Sequence, residues 1–503
     1  MRTYRGSTPL AALSVTAVTA ALLAGAAPPG TAAASAGPAS ALSWRPCAQE
    51  GGPAGQECAE LPVPLDHRDP DGPRLSLAVT RVMSDRPDER RGTLLVIAGG
   101  PGGSGVRQVT ETGQALRRAT GGRYDIVGLD PHGVGGSTKA GCGLEPEDRE
   151  LVNMRSWPGP DGSITENVTR ARRIAETCAR NGGALLRSLT TANEARDIDL
   201  FRQALGEEKL SAWGVSYGTY VGAVYAQKYP QHTDRWVLDS NDDPDPARVA
   251  QGWLANMAVG VDDRFPDFAR WASDPARDAE GLRLARRAGD VRPLVLALAA
   301  RLDREPRETT APGVPLTGNR LRQALQLAME DDDSFAGFAE LVRAAGDSTA
   351  KPVLPAALSG PLPDADATVA MGVVCNDVRW RGTVPEYRRA VAADRAAHPL
   401  TAGEPVNLNA CSFWKDAPAE EPVTVNDRGP SNILMIQGLR DPDTPYSGAL
   451  RMRAALGGRA RMVAVDRGGH GMYLDNGNAC GDRVVTTFLT TGQRPERDVL
   501  CTD

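Results

Sequence analysis

The sequence predicts an α/β fold in which a mostly parallel sheet, built from two separate stretches of chain, carries a helical lid inserted between them. Three observations carry this expectation. Short continuous apolar runs alternate with helical patterns between about residues 60 and 240. From 245 to 405, Ala, Leu and Arg follow helical spacing and strand signals are few. After about residue 430 the strand pattern returns. Continuous apolar strands belong to sheets buried on both faces, which is how parallel strands sit under helices. Hydrophobic residues at 41% and charged residues at 24% exclude a disordered or fibrous chain.

Taken in order, the chain opens with Arg2 and Arg5, an apolar Ala-rich stretch over 10–27, and small-x-small sites at Ala32-Ala33-Ala34 and Ala34-Ser35-Ala36. This reads as a secretory signal peptide over 1–36, too short and too weakly apolar for a membrane anchor. Losing Arg2 and Arg5 with it takes the formal charge from −6 to −8, the wrong sign for a nucleic-acid partner. No later apolar run is long enough to span a membrane. Residues 37–60 read as a Pro/Gly/Ala-rich lead-in. Strands are expected at 75–79, 93–97, 124–129, 210–213, 236–238, 433–436 and 462–465, and helices at 219–229, 291–302 and 320–345. The domain reading is a first core segment over 37–244, a helical lid over 245–405 and a second core segment over 406–503.

Export changes how the cysteines are read. Eight are present, the number is even, and no C-x-x-C occurs, so disulfides are favoured over metal or redox chemistry. They fall into four sequential couples, and neighbour pairing is expected: Cys47 with Cys58, Cys142 with Cys178, Cys375 with Cys411, Cys480 with Cys501.

Gly214-Val215-Ser216-Tyr217-Gly218 is a G-x-S-x-G with a strand-like run before it and a helical run after it. A serine nucleophile on such a turn needs small flanking residues, and its hydroxyl then stands above the sheet edge at the positive end of a helix. The base comes last in the chain order of serine, acid, histidine. Of His67, His132, His232, His398 and His470, only His470 lies beyond residue 398, between glycines after the run 462–465. Three carboxylates could orient it: Asp441, Asp443 and Asp239. Asp441 is preferred as the first on the turn after strand 433–436, stiffened by Pro442, while Asp443 reads as a loop cap and Asp239 as a strand-end cap.

The glycine loop over 99–105 contains a formal G-x-G-x-x-G, with Asp130 further on, so a dinucleotide site must be weighed. Pro101 within the loop, and the lack of any role it leaves for Ser216, Asp441 and His470, argue against it. The loop reads instead as half of an oxyanion hole, with one backbone N–H from Gly100 and the other from Tyr217. No cofactor and no metal are implied.

These motifs resemble a known family, the secreted bacterial tripeptidyl aminopeptidases, serine exopeptidases related to proline iminopeptidase within the α/β-hydrolase fold. The resemblance rests on Val63-Pro64-Leu65-Asp66, residues 99–105, Asp130-Pro131-His132-Gly133-Val134-Gly135, residues 214–219, Val237-Leu238-Asp239, residues 437–445, Gly469-His470-Gly471, and Cys480 with Cys501. It runs from about residue 44 to 503 and is weakest in the insertion. The chain departs from the family at His132, where Arg is usual, and at Ile97-Ala98, where Asn-Pro or a His before the glycines is usual. The resemblance implies release of short peptides, tripeptides above all, from free N-termini.

Three functions compete. The first is a secreted serine aminopeptidase, the second a carboxylesterase or lipase on the same triad, and the third an extracellular binding protein on an inactive hydrolase fold. Fold and triad cannot separate the first two, because function lives in the pocket; the complete triad argues against the third. An exopeptidase must also hold the substrate's ammonium, and Glu330, Asp331, Asp332, Asp333 and Asp377 are the candidate carboxylates. The bland reading of the acidic run 330–333 is a solvated helix end.

Overall fold

Among the described residues, ten strands pair into one sheet: β1 (Arg45–Pro46), β2 (Glu57–Pro64), β3 (Arg74–Val82), β4 (Gly92–Ile97), β5 (Tyr124–Leu129), β6 (Leu210–Val215), β7 (Thr233–Asp239), β8 (Ile433–Arg440), β9 (Ala460–Gly468) and β10 (Val499–Cys501). Their spatial order is β1-β2-β3-β5-β4-β6-β7-β8-β9-β10. The computed structural model describes residues 42–48, 51–476 and 478–502, so the signal peptide assigned to 1–36 lies outside the described residues. Pairing is antiparallel from β1 through β3 to β5 and parallel from β5 through β4 to β10. Each strand expected from the sequence is present.

The continuous apolar runs are explained by burial on both faces. Leu95, Ile97, Ala212, Leu238 and Met435 join one core, and Leu94, Val96, Trp213, Val237 and Ile436 join the core on the opposite face. Successive strand residues point to opposite faces, so a strand covered on both sides must be apolar at every position.

Two expectations change. Part of the lead-in is strand: β2 turns Ala59, Leu61 and Val63 inward and Glu60 and Pro62 outward. β1 pairs only with Glu57 and Cys58, which leaves Pro62 and Pro64 without a neighbour on that side, where a missing N–H does no harm. The single helix expected over 320–345 is two, Gly318–Met329 and Ser334–Gly346. The break falls at the acidic run, where the Asp331 carboxylate accepts the Asp333 N–H at 2.8 Å and so competes with helical pairing.

All four sequential disulfides are formed, Cys47–Cys58, Cys142–Cys178, Cys375–Cys411 and Cys480–Cys501. Among the described residues no helix is long and apolar enough to cross a membrane.

Between β7 and β8 the chain is helical, with helices Gln251–Ser273, Ala288–Leu302, Gly318–Met329, Ser334–Gly346, Asp364–Asp377 and Val384–Ala397. The first four enclose a core of their own around Phe265, Phe268, Leu298, Leu325 and Phe338. A second helical stretch between β5 and β6 leans on this insertion: Trp157 Nε1 donates to Gln323 Oε1 at 3.0 Å, and the Asp364 carboxylate accepts the N–H groups of Gly143 and Leu144 at 2.9 and 2.7 Å.

Candidate active site

Five loops leave the same edge of the parallel strands: the glycine loop after β4, Ser216 after β6, the run Asp239-Ser240-Asn241-Asp242-Asp243 at the end of β7, Asp441 after β8 and His470 after β9. In open α/β sheets this is the edge at which ligands bind.

Ser216 sits between β6 and helix Tyr217–Lys228 with φ 58° and ψ −129°, a conformation that L-residues rarely adopt. Its N–H donates to the Asp239 carbonyl at 3.0 Å, which tethers the strained turn to the neighbouring strand. The motif's second glycine is dictated by space, since a Cβ at Gly218 would lie 2.3 Å from the Ile97 carbonyl oxygen. The glycine loop closes on the serine from the other side, where a Cβ at Gly99 would lie 2.8 Å from Ser216 Cβ. Gly100 and Tyr217, expected as the oxyanion donors, therefore flank the candidate nucleophile, Gly100 next to Gly99 and Tyr217 as the first helical residue.

Asp441 is fully buried. Its Oδ1 accepts the N–H groups of Asp443 and Thr444 at 3.0 and 2.9 Å, and its Oδ2 accepts the Thr444 hydroxyl at 2.9 Å. His470 Nδ1 lies 3.0 and 3.1 Å from the two carboxylate oxygens. A proton on Nδ1 is thereby fixed, and Nε2 is left to accept one. The histidine's own N–H donates to the Glu330 carbonyl at 2.8 Å, and the Gly471 N–H donates to Ser240 Oγ at 2.9 Å.

Asp239 proves more than a strand-end cap. Its carboxylate accepts the N–H groups of Met472 and Tyr473, each at 2.9 Å, and Trp213 Nε1 at 3.2 Å. It thus holds the loop that carries His470, while its own carbonyl holds Ser216. Burial pushes its carboxyl up to about 6.

The surroundings of His470 are acidic. Burial opposes a charged ring, but Asp441, with Asp443 and Glu330 behind it, outweighs that and holds the imidazolium well above the ordinary histidine value. Burial and the Asp443 charge push Glu330 up to about 8. Burial pushes Asp242 up to about 8 and Glu404 up to about 7; Arg155 opposes the shift of Glu404, and His470 and then Arg155 oppose that of Glu330. Asp443 is a member of this group rather than only a loop cap, its carboxyl raised by burial and by Asp441 despite His470. Asp441 runs the other way: His470 and the Thr444 N–H outweigh its burial and keep it below the ordinary carboxylate value.

The candidate ammonium ligands separate. Glu330 interacts electrostatically with Asp443 and His470. The Asp331 carboxylate caps the Asp333 N–H, and Asp332 pairs with Arg264. Asp377 accepts the Thr191 N–H and hydroxyl at 2.9 and 2.5 Å, beneath Tyr217, and is committed there. The other histidines are engaged elsewhere. His67 and His132 place ring nitrogens 2.7 and 2.9 Å from the buried Asp197, His232 pairs with the Glu208 carbonyl, and His398 pairs with Asp262. The unusual His132 is therefore part of a buried pair of rings on one carboxylate. Among the described residues no group of three His, Cys, Asp or Glu side chains converges as a metal site would.

Asp242, Glu404 and Arg155 escaped sequence reasoning. The run of acids after β7 was a usable signal for Asp242, because it sits at the ligand-binding edge. Arg155 and Glu404 come from distant stretches with no motif.

A pH dependence follows from these charges. A general base must be neutral, so kcat/KM should rise with pH through an apparent value above about 6.5, the unperturbed histidine value. Glu330→Gln removes one of the anions that raise His470 and should move this acid limb to lower pH. The value belongs to the coupled group of carboxyls and ring. A limb at or below about 6.5 in the wild type would contradict the electrostatics.

A family model described as "TAP-like protein" matches residues 399–501, and one described as "alpha/beta hydrolase fold" matches residues 92–307. The chain is 32% identical over 476 residues to a tripeptidyl aminopeptidase of Streptomyces lividans, covering 92% of this chain and 86% of that protein. It is 28% identical over 490 residues to the serine protease Hip1 of Mycobacterium tuberculosis, covering 92% and 91% of the two chains. It is also 28% identical over 472 residues to a carboxylesterase B of Mycobacterium tuberculosis, covering 88% and 86%.

Proposed function

The chain belongs to the tripeptidyl aminopeptidase family of α/β-hydrolases, and on that premise we propose that it is a secreted serine exopeptidase releasing short peptides, tripeptides above all, from free N-termini. The observation that carries this reading is the Asp441–His470 pair, fixed at 3.0 Å on a loop braced by Asp239, which also anchors the Ser216 turn. Ser216 Oγ attacks the peptide carbonyl as His470 Nε2 takes its proton, and Asp441 stabilises the imidazolium. The N–H groups of Tyr217 and Gly100 receive the oxyanion. His470 then protonates the leaving amine, and water, activated by the same ring, hydrolyses the acyl-enzyme. No cofactor enters. The reading of residues 1–36 as a signal peptide, and disulfides on both sides of the insertion, support secretion.

The helical insertion, read as a lid over 245–405 between core segments 37–244 and 406–503, limits how many residues fit beyond the scissile bond. Glu330 is the carboxylate we assign to the substrate ammonium, because its charge acts on His470 beside those of Asp441 and Asp443. A substrate cation there would favour the ionised form of Glu330, whose carboxyl burial and the Asp443 charge otherwise push up to about 8, and a desolvated ion pair selects strongly against blocked peptides.

A second reading, a carboxylesterase on the same triad, is favoured by the likeness to a carboxylesterase B. One substrate panel separates them: a free-amine tripeptidyl nitroanilide, its N-acetyl form and a simple nitrophenyl ester. The peptidase should cleave the first best. In Glu330→Gln, KM for the free-amine peptide should rise about tenfold while the acetylated peptide changes little, the size of one lost charge-assisted contact. Preference for the ester, with no effect of Glu330→Gln on amine selectivity, would favour the esterase.

A further inference from the structure

Resting on the roles assigned above to Asp441 and His470, we propose that Arg264, on a helix of the insertion, is a positioning residue that sets the acid turn and the histidine loop against each other. Arg264 lies on helix Gln251–Ser273 and its side chain is only 2% exposed. Every arm of its guanidinium is engaged. Nε donates to the Met329 carbonyl at 3.0 Å, Nη1 donates to Asp267 Oδ2 at 2.8 Å, Nη2 pairs with Asp332, and the plane lies 4.8 Å from the Phe335 ring centre.

Two of these contacts lead to the two members of the acid–base pair. Asp267 Oδ2 also accepts Arg440 Nε at 2.8 Å, and Arg440 immediately precedes Asp441. Arg440 continues to Asp466 on β9 at 2.5 Å, and its carbonyl accepts the N–H of Gly469, the residue before His470, at 3.4 Å. On the other side, Met329 immediately precedes Glu330, whose carbonyl accepts the His470 N–H at 2.8 Å. Arg264 therefore fixes the neighbour of the acid and the neighbour of the group that holds the base.

The backbone is close enough for this to act without slack. A Cβ at Gly260 would lie 2.4 Å from the Pro442 carbonyl oxygen, and a Cβ at Gly468 would lie 2.3 Å from Arg264 Nη1. The insertion is thus seated directly on both turns. Stability alone is a poor reason for a buried charge network, because well-packed apolar residues often replace one at no loss. Geometry is a better one, since a shift of about 1 Å in catalytic groups costs about 100-fold in rate.

The test is Arg264→Met in the full-length mature enzyme, assayed on a free-amine peptidyl nitroanilide and a nitrophenyl ester. We expect kcat to fall about 10- to 100-fold on both with KM changed less than about twofold. The far-downfield proton resonance of His470 Nδ1–H should shift or broaden, and Arg264→Lys should recover part of the rate. Arg322→Met serves as the structural comparison. It breaks a similarly buried pair with Asp303, at 3.0 Å, wholly inside the insertion, and should lower Tm while keeping kcat. If Arg264→Met does not fold, Arg440→Gln decides, because that side chain is 27% exposed and tolerates replacement. Its kcat should fall in the same way. Wild-type kcat in either folded variant, or a loss of kcat with the Nδ1–H resonance unchanged, overturns the proposal. The roles of Asp441 and His470 are tested separately by His470→Ala, whose retained activity would overturn that reading whatever Arg264 does.

Discussion

Alanine at position 216 is expected to abolish turnover of peptides and esters alike, a loss of about 10^6 in kcat by analogy with other triad serines. What should remain is the modest rate that binding and oxyanion donors supply without a nucleophile. Folding should be intact. The cost of the φ 58° backbone at Ser216 is carried by any residue with a Cβ, and alanine adds no further atoms to the turn. The tether from its N–H to the Asp239 carbonyl is a backbone contact and survives the change. Tm should therefore stay near wild type while the rate disappears, and KM-type binding of an uncleaved peptide should persist. A phosphonofluoridate or sulfonyl fluoride should label Ser216 alone. Ser104 and Ser240 stand at the same sheet edge, but both hydroxyls are occupied. Ser104 Oγ donates to Asp130 at 2.6 Å and accepts the Arg107 N–H, and Ser240 Oγ accepts the Gly471 N–H. Label on either of these, or turnover by the Ser216→Ala protein, would remove the nucleophile assignment.

The strand-to-helix turn at Ser216 and the placing of Asp441 against His470 were legible because their signals are local. A serine on a strand-to-helix turn must be flanked by glycine, and the sheet's parallel strands must be continuous apolar runs. The disulfide pairs were legible for a related reason, since each links stretches of chain close in sequence. What stayed hidden is assembled from afar. Glu330, Asp242 and Asp443 act on one ring from separate stretches of chain, Glu404 and Arg155 join them through Asp443, and no spacing rule links them. The acidic run 330–333 looked like a solvated helix end because composition is blind to direction. Of its four members Glu330 acts on His470 through its charge, while Asp332 turns to Arg264 and Asp331 caps its own turn. β2 was hidden by Pro62 and Pro64, which mark a broken strand in general and are harmless here because β1 stops short of them. Asp239 was seen as a carboxylate near the site, but its work on the Met472 and Tyr473 N–H groups depends on a loop that lies more than two hundred residues later.

Asparagine at 441 and at 239 should give opposite signatures, and the comparison decides which carboxylate is the triad acid. Asp441 meets Nδ1 of His470 with both oxygens while also accepting two backbone N–H groups and a hydroxyl. Asparagine keeps one oxygen, which stays with the Asp443 and Thr444 N–H groups, and turns its NH2 toward the ring. An N–H donor opposite Nδ1 selects the tautomer that carries its proton on Nε2, which cannot accept one from Ser216. The expected loss is about 10^3- to 10^4-fold in kcat, with the raised pKa of His470 falling and Tm changing little. Asp239 has no ring to orient. Its two oxygens satisfy Met472, Tyr473 and the Trp213 indole in a fully buried place. Asparagine there leaves at least one of those N–H groups facing another donor, at a cost of about 1 to 3 kcal/mol in stability. The His470 loop would then be looser but its tautomer unchanged, so kcat should fall far less than in Asp441→Asn. Measured together, kcat and Tm should move in opposite orders in the two variants. If Asp239→Asn is the slower enzyme of the pair, with Tm preserved, the acid lies after β7, and Asp441 only shapes its turn.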